Sequence, residues 1–229
     1  MIHSRTLRRV STPVLGFIAC LSGGLSLAAE RAELDGVWLH EGSQVPDDPG
    51  LTPAGQAMFD RYDPLRDDID TDCRPVSFTN IMFTPSPPFE IIQYDDHVEM
   101  NYEFMDVERR VPLDPTLAVE DAPDTVADHP HMGRSVGRYD GEALVVDTAG
   151  QAAGYLDTLG IAGLPQSDQM RTEERFIPNG DRLLVVVTHH DPVYYTGAMV
   201  MTYHFLRLDS EILEWGCTLE GANYDDRLN

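Results

Sequence analysis

An Asp-Gly pair between two alternating runs constrains this chain more than any other feature. Residues 131–148 break at Asp140-Gly141. Glycine accepts a positive φ without strain, so such a pair between apolar alternations predicts a β-hairpin. In its first strand Arg134, Val136 and Arg138 share one face, and Ser135, Gly137 and Tyr139 share the other. In its second, Ala143, Val145 and Asp147 lie opposite Leu144, Val146 and Thr148. Two arginines and a carboxylate are therefore expected to point into a barrel or cleft that is otherwise apolar. The pattern names no reaction.

The rest of the chain supplies partners for this hairpin. Strands are expected over 34–40, 81–83, 89–94, 97–104, 106–113, 169–177, 183–190, 198–208 and 212–219, with turns rich in Pro, Gly and Asp between them. One short helix is expected near the N-terminus. Thr52 is a good N-cap, Pro53 suits the first helical position, and Asp63-Pro64 stops the run. Residues 149–167 make a long link whose Tyr155, Leu156 and Leu159 predict an ordered lid. Strands in this number with mostly short links predict an all-β fold, an antiparallel meander closing into a barrel, because closure removes exposed sheet edges. One domain over residues 30–229 suits that length.

Residues 1–29 are expected to lie outside that domain. Arg5, Arg8 and Arg9 form a basic head, an apolar run follows from Val14 to Leu27, and Ser26-Leu27-Ala28 has the small residues of a cleavage site. This pattern predicts a signal peptide and a periplasmic or secreted protein. A rival reading makes Cys20 the acylated residue of a lipoprotein. No later segment is apolar enough to span a membrane as a helix. Removing the leader leaves 13 arginines against 39 acidic residues and no lysine, a net charge of −26. The missing lysines exclude Schiff-base chemistry. The acidity argues against a nucleic-acid partner, whose phosphates it repels. Two cysteines remain, Cys73 and Cys217. An even pair in an oxidising compartment predicts one disulfide, with two buried free thiols as the alternative.

Several segments taken together resemble a largely uncharacterised group of secreted bacterial lipocalin-like proteins. They are Gly36-Val37-Trp38, Leu51-Thr52-Pro53-Ala54-Gly55, Tyr62-Asp63-Pro64, Ile81-Met82-Phe83-Thr84-Pro85, Glu90-Ile91-Ile92-Gln93, Ser135-Val136-Gly137-Arg138, Gly141-Glu142-Ala143-Leu144-Val145-Val146 and Glu174-Arg175-Phe176. The resemblance implies a barrel with a ligand cavity and supplies no substrate. The chain departs from the group at two places. Arg134 and Gln166 stand where the group often has histidine.

Candidate chemistry follows from residue types. His129-Pro130-His131 and His189-His190 raise the question of a metal. Proline interrupts the first pair and strand alternation splits the second, so no metal and no cofactor are expected. Acid–base work needs a proton acceptor and a group that stabilises negative charge. The candidates are His131, Tyr155, Asp157 and Asp168, with Arg134 and Arg138 as carboxylate-binding or carbonyl-polarising groups. Pairing of these arginines with neighbours such as Glu173 and Glu174 is the alternative. Met100, Tyr102 and Phe104 share one face, as do Met199, Met201, Tyr203 and Phe205. Such stripes make a core, or in a barrel the wall around one small guest, with Tyr102 and Tyr203 touching it. The leading expectation is an exported barrel that binds a small, partly apolar or aromatic organic molecule. The alternatives are a cofactor-free lyase or isomerase acting on such a molecule, and an envelope protein with a filled core.

Overall fold

A computed structural model describes residues 33–67, 73–75, 77–83, 87–126, 130–156, 161–216 and 218. The expected leader, Cys20, His129, Asp157 and Cys217 lie outside the described residues. The main strands are β1 (Gly36–Gln44), β2 (Phe89–Gln93), β3 (His97–Tyr102), β4 (Val107–Pro112), β5 (Arg134–Asp140), β6 (Ala143–Ala149), β9 (Arg171–Asn179), β10 (Arg182–His190) and β11 (Met199–Leu208). A two-residue pair, β7 (Gly154–Tyr155) and β8 (Pro165–Gln166), stands apart from them. The helices are short: α1 (Pro53–Phe59), α2 (Pro64–Asp67) and α3 (Phe78–Phe83).

The nine main strands form one sheet in the order β4-β3-β2-β1-β11-β10-β9-β6-β5, and every link is antiparallel. The expected antiparallel barrel is thus present, and it is nearly closed. Parity explains why it stops short. Eight antiparallel links leave the two end strands, β4 and β5, pointing the same way, so they cannot continue the antiparallel ladder across the seam. Other groups bridge it instead. Asp124 pairs with Arg134 at the start of β5, Arg110 N–H donates to the Thr125 carbonyl at 3.1 Å, and Thr125 N–H donates to the Gly133 carbonyl at 3.0 Å. Gly137 lets the two edges approach. A Cβ there would lie 3.0 Å from Leu113 Cδ2 and 3.1 Å from Val111 Cγ1.

The hairpin at β5–β6 forms as its sequence predicts. Asp140 pairs with Ala143, and Gly141 takes φ 60° in the turn. Helix α1 also has its expected start: Thr52 Oγ1 accepts from Gly55 N–H at 3.0 Å. Three expectations are corrected. Residues 81–83 are not a strand but the end of α3. A three-residue apolar run carries no period of its own, and Ser77 caps a helix here by accepting from Asn80 N–H at 3.2 Å. The expected last strand does not form over residues 212–216. Instead Glu103 and Asp106 carboxylates accept from the Leu213, Trp215 and Gly216 amides. Strand β1 runs on to Gln44, through an irregularity between His40 and Gly42 that absorbs the residues expected as loop.

Of the expected lid, Leu159 lies outside the described residues. Leu156 and Leu164 are buried, and Leu156 N–H donates to the Leu164 carbonyl at 2.8 Å. Asp191 fastens this end of the barrel: its carboxylate accepts from Ser167 N–H, Ser167 Oγ–H, Val193 N–H and Tyr194 N–H. Among the described residues no helix is long and apolar enough to cross a membrane.

Candidate functional site

Strand register turns the inward side chains into rows across the wall. One row runs Ser135, Thr148, Thr172, His189, Met199 through β5, β6, β9, β10 and β11. The next runs Gly137, Val146, Glu174, Val187, Met201, and the third runs Tyr139, Leu144, Phe176, Val185, Tyr203. The wall is therefore polar at one end and becomes apolar and aromatic towards the other. Phe89 completes the apolar end, stacked on Tyr102 at 5.0 Å and edge-on to Phe205 at 5.1 Å.

Arg109 reaches into the polar end from β4. Its guanidinium grips Glu174 with both terminal nitrogens, and both groups are fully buried. Nη2 also donates to Ser135 Oγ at 3.2 Å and Thr148 Oγ1 at 3.3 Å, and Ser135 and Thr148 hydrogen-bond each other at 2.8 Å. Burial alone pulls the Arg109 pKa down, the Glu174 carboxylate pushes it up, and the net direction is up. Arg109 therefore stays a cation inside the barrel. The Phe78 ring of α3 lies 3.7 Å from the guanidinium carbon. Residues 77–82 are all buried, so this stretch of α3 shows no solvent-facing side. Ser77 and Thr79 hydroxyls hold it to the Leu156 carbonyl.

His189 lies one row from this pair, only 2 % exposed. Burial, with a smaller contribution from His190, pushes its pKa down to about 3, so the ring is neutral at physiological pH. Its Nδ1 lies 3.3 Å from Thr172 Oγ1, which accepts from Gln151 Nε2 at 3.2 Å. Four buried polar atoms in this part of the molecule have no hydrogen-bond partner: His189 Nε2, Gln151 Oε1, Arg109 Nε and Thr125 Oγ1. An open recess of about 400 Å³ runs along the seam past Arg109, Asp124 and Thr125.

Among the described residues, those expected at the site are not brought together. Arg134 and Arg138 face outward, which corrects the inward orientation expected of them. Arg134 pairs with Asp124 at 3.1 Å, and Arg138 pairs with Asp147 and Glu173 on the outer surface. In β6 both faces are apolar over residues 143–146, so the hairpin pattern alone did not say which side was inside. Tyr102 and Tyr203 do face the interior; their hydroxyls lie against Met100 and Met201 sulfurs at 3.7 Å and 3.3 Å, and burial raises both pKa values, that of Tyr102 to about 12. The Tyr155 hydroxyl donates to the Met58 carbonyl at 3.3 Å, and its ring meets Tyr62 edge-on. Its pKa is raised by burial and then by Asp67. His131 is half-buried beside Gly154, and Asp168 is exposed. Among described residues no group of three or more His, Cys, Asp or Glu is placed to hold a metal.

Arg109, Glu174 and His189 were missed as a group. The signal was present. Arg109 alternates with Val107 and Val111, and Glu174 alternates with Thr172 and Phe176, so each charge sits on the inner face of its strand.

No family model matches the sequence, and no curated protein matches it. Solved structures similar to it include the following two. A mutant of the fluorescent protein UnaG is 16 % identical, covering 77 % of this chain and 96 % of that one, with a TM-score of 0.37. The apo form of Caenorhabditis elegans lipid binding protein 8 is 12 % identical, covering 76 % and 94 %, also with a TM-score of 0.37. The nearly closed barrel rests on this chain's own strand pairing.

Proposed function

We propose that this protein binds one small, partly apolar or aromatic organic molecule in its barrel, in an exported compartment. The observation that carries the reading is a two-ended interior. Buried donors and acceptors without protein partners, His189 Nε2, Gln151 Oε1 and Arg109 Nε, lie at one end, and Phe89 and Phe205 line the other, with Tyr102 and Tyr203 between them and the Arg109–Glu174 pair. A buried polar atom left unpaired costs about 1–3 kcal/mol, and a guest that pairs it recovers that cost. Phe78 of α3 already covers the Arg109 guanidinium, which favours a small guest. Turnover is the weaker reading: the Tyr155 hydroxyl is engaged by Met58, and Asp168 points to solvent.

Export rests on the leader pattern in residues 1–29, and a Cys73–Cys217 bridge belongs to the same proposal. The test is native mass spectrometry of protein purified without denaturation, followed by extraction of whatever leaves on unfolding. A stoichiometric organic adduct of a few hundred daltons is expected. An unadorned mass, with no thermal shift from any small aromatic compound, overturns the reading.

A further inference from the structure

The Gln151–Thr172–His189 chain has a direction. The Gln151 amide nitrogen can only donate, so Thr172 Oγ1 accepts from it at 3.2 Å. The hydroxyl keeps one proton of its own, and His189 Nδ1 lies 3.3 Å away to receive it. With Thr172 donating, Nδ1 accepts and the ring carries its proton on Nε2, and this is the tautomer we assign. The chain then ends in one free donor, His189 Nε2–H, and one free acceptor, Gln151 Oε1. Both are buried, and neither has a protein partner. Arg109, one row away, is already neutralised, with both its terminal nitrogens on Glu174.

Resting on the binding function proposed above, we infer that His189 and Gln151 form a neutral head-group site. It takes a guest group that accepts from Nε2–H and donates to Oε1, such as an alcohol, a phenol or a primary amide, and it disfavours carboxylates. An ionised guest would add an uncompensated negative charge next to Glu174 in a buried setting. A neutral hydroxyl both accepts and donates, as this donor and acceptor require. Thr172 is a positioning residue: it touches no guest and fixes the imidazole tautomer.

The experiment uses three matched probes, 2-naphthol, 2-naphthoate and naphthalene, titrated into the folded wild-type chain at neutral pH and followed by probe fluorescence. Naphthol is expected to bind at least tenfold more tightly than naphthoate and severalfold more tightly than naphthalene. Thr172→Val and Gln151→Met are expected to erase the advantage of naphthol over naphthalene. Should a variant not fold, the tautomer is read directly on wild-type protein by nitrogen-15 NMR, where the His189 proton is expected on Nε2. Naphthoate binding as tightly as naphthol, a naphthol advantage that survives both substitutions, or a proton on Nδ1 overturns the head-group site and leaves barrel binding standing. Failure of all three probes to bind folded protein overturns the site and counts against barrel binding as well.

Discussion

Arg109 on β4 and Glu174 on β9 meet inside the barrel as a doubly hydrogen-bonded ion pair from which water is excluded. Two charges removed from water gain from each other only while both are present. Glu174→Gln leaves the guanidinium buried without its counter-charge and is expected to cost about 3–5 kcal/mol. Arg109→Met is expected to cost a similar amount. The double variant Arg109→Met/Glu174→Leu is expected to recover most of it, because an apolar pair of similar volume carries no desolvation cost. Urea unfolding of all three variants checks this. Additive losses in the double variant would show that the two side chains act independently.

His189 makes stability depend on pH. Its pKa is about 3 in the fold against 6.5 for the free side chain. Between those values the unfolded chain takes up a proton that the fold refuses. The group's contribution is intact above the unfolded value and is lost as pH falls, at about 1.4 kcal/mol per pH unit. His189→Gln removes the linkage. Urea midpoints measured between about pH 7 and about pH 4 should fall less steeply for this variant than for wild type. Parallel slopes would place the imidazole in solvent.

The barrel was legible in the sequence because strand alternation and turn residues are local signals. Gly141 in the hairpin and Thr52-Pro53 at α1 formed as their chemistry demands. The site was less legible, because which face of a strand is inside is settled by its neighbours. Arg134 and Arg138 sit in a hairpin whose second strand is apolar on both faces over residues 143–146, so local pattern left their direction open. Arg109 alternates with two valines, and that spacing carried the inward signal. Helix α3 was hidden because Ile81-Met82-Phe83 is too short to show a period.

The outward arginines give a contrast with Arg109. Arg138 bonds Asp147 and Glu173 in solvent, where such pairs contribute about 0–1 kcal/mol. Arg138→Ala should therefore change the urea midpoint little and leave probe affinity unchanged. A loss of affinity of tenfold or more would return this residue to the binding site.

A bridge between Cys73 and Cys217 would close a long loop and hold the tail after β11 to the segment before α3. Chain entropy assigns such a closure roughly 4–5 kcal/mol. Protein from an oxidising compartment should show no free thiol by alkylation and mass spectrometry, and reduction should lower its thermal midpoint. Two alkylated cysteines in folded, unreduced protein would exclude the bridge.

The seam is where the barrel is least constrained, and Gly137 sets its width. No ladder holds β4 to β5, so side-chain contact and the 124–125 bridge carry the closure. A methyl group at position 137 would meet the tips of Leu113 and Val111, which can move. Gly137→Ala is accordingly expected to cost less than about 1 kcal/mol. Gly137→Val adds two branches that those tips cannot both clear, and overpacking of this kind costs about 1–3 kcal/mol. The strain should appear locally as faster hydrogen exchange at the Arg110 amide, whose bond to the Thr125 carbonyl spans the gap. Leu113→Ala placed in the Gly137→Val background makes room and should restore both stability and protection. If Gly137→Val exchanges as slowly as wild type at Arg110, the two edges are held by something other than this contact.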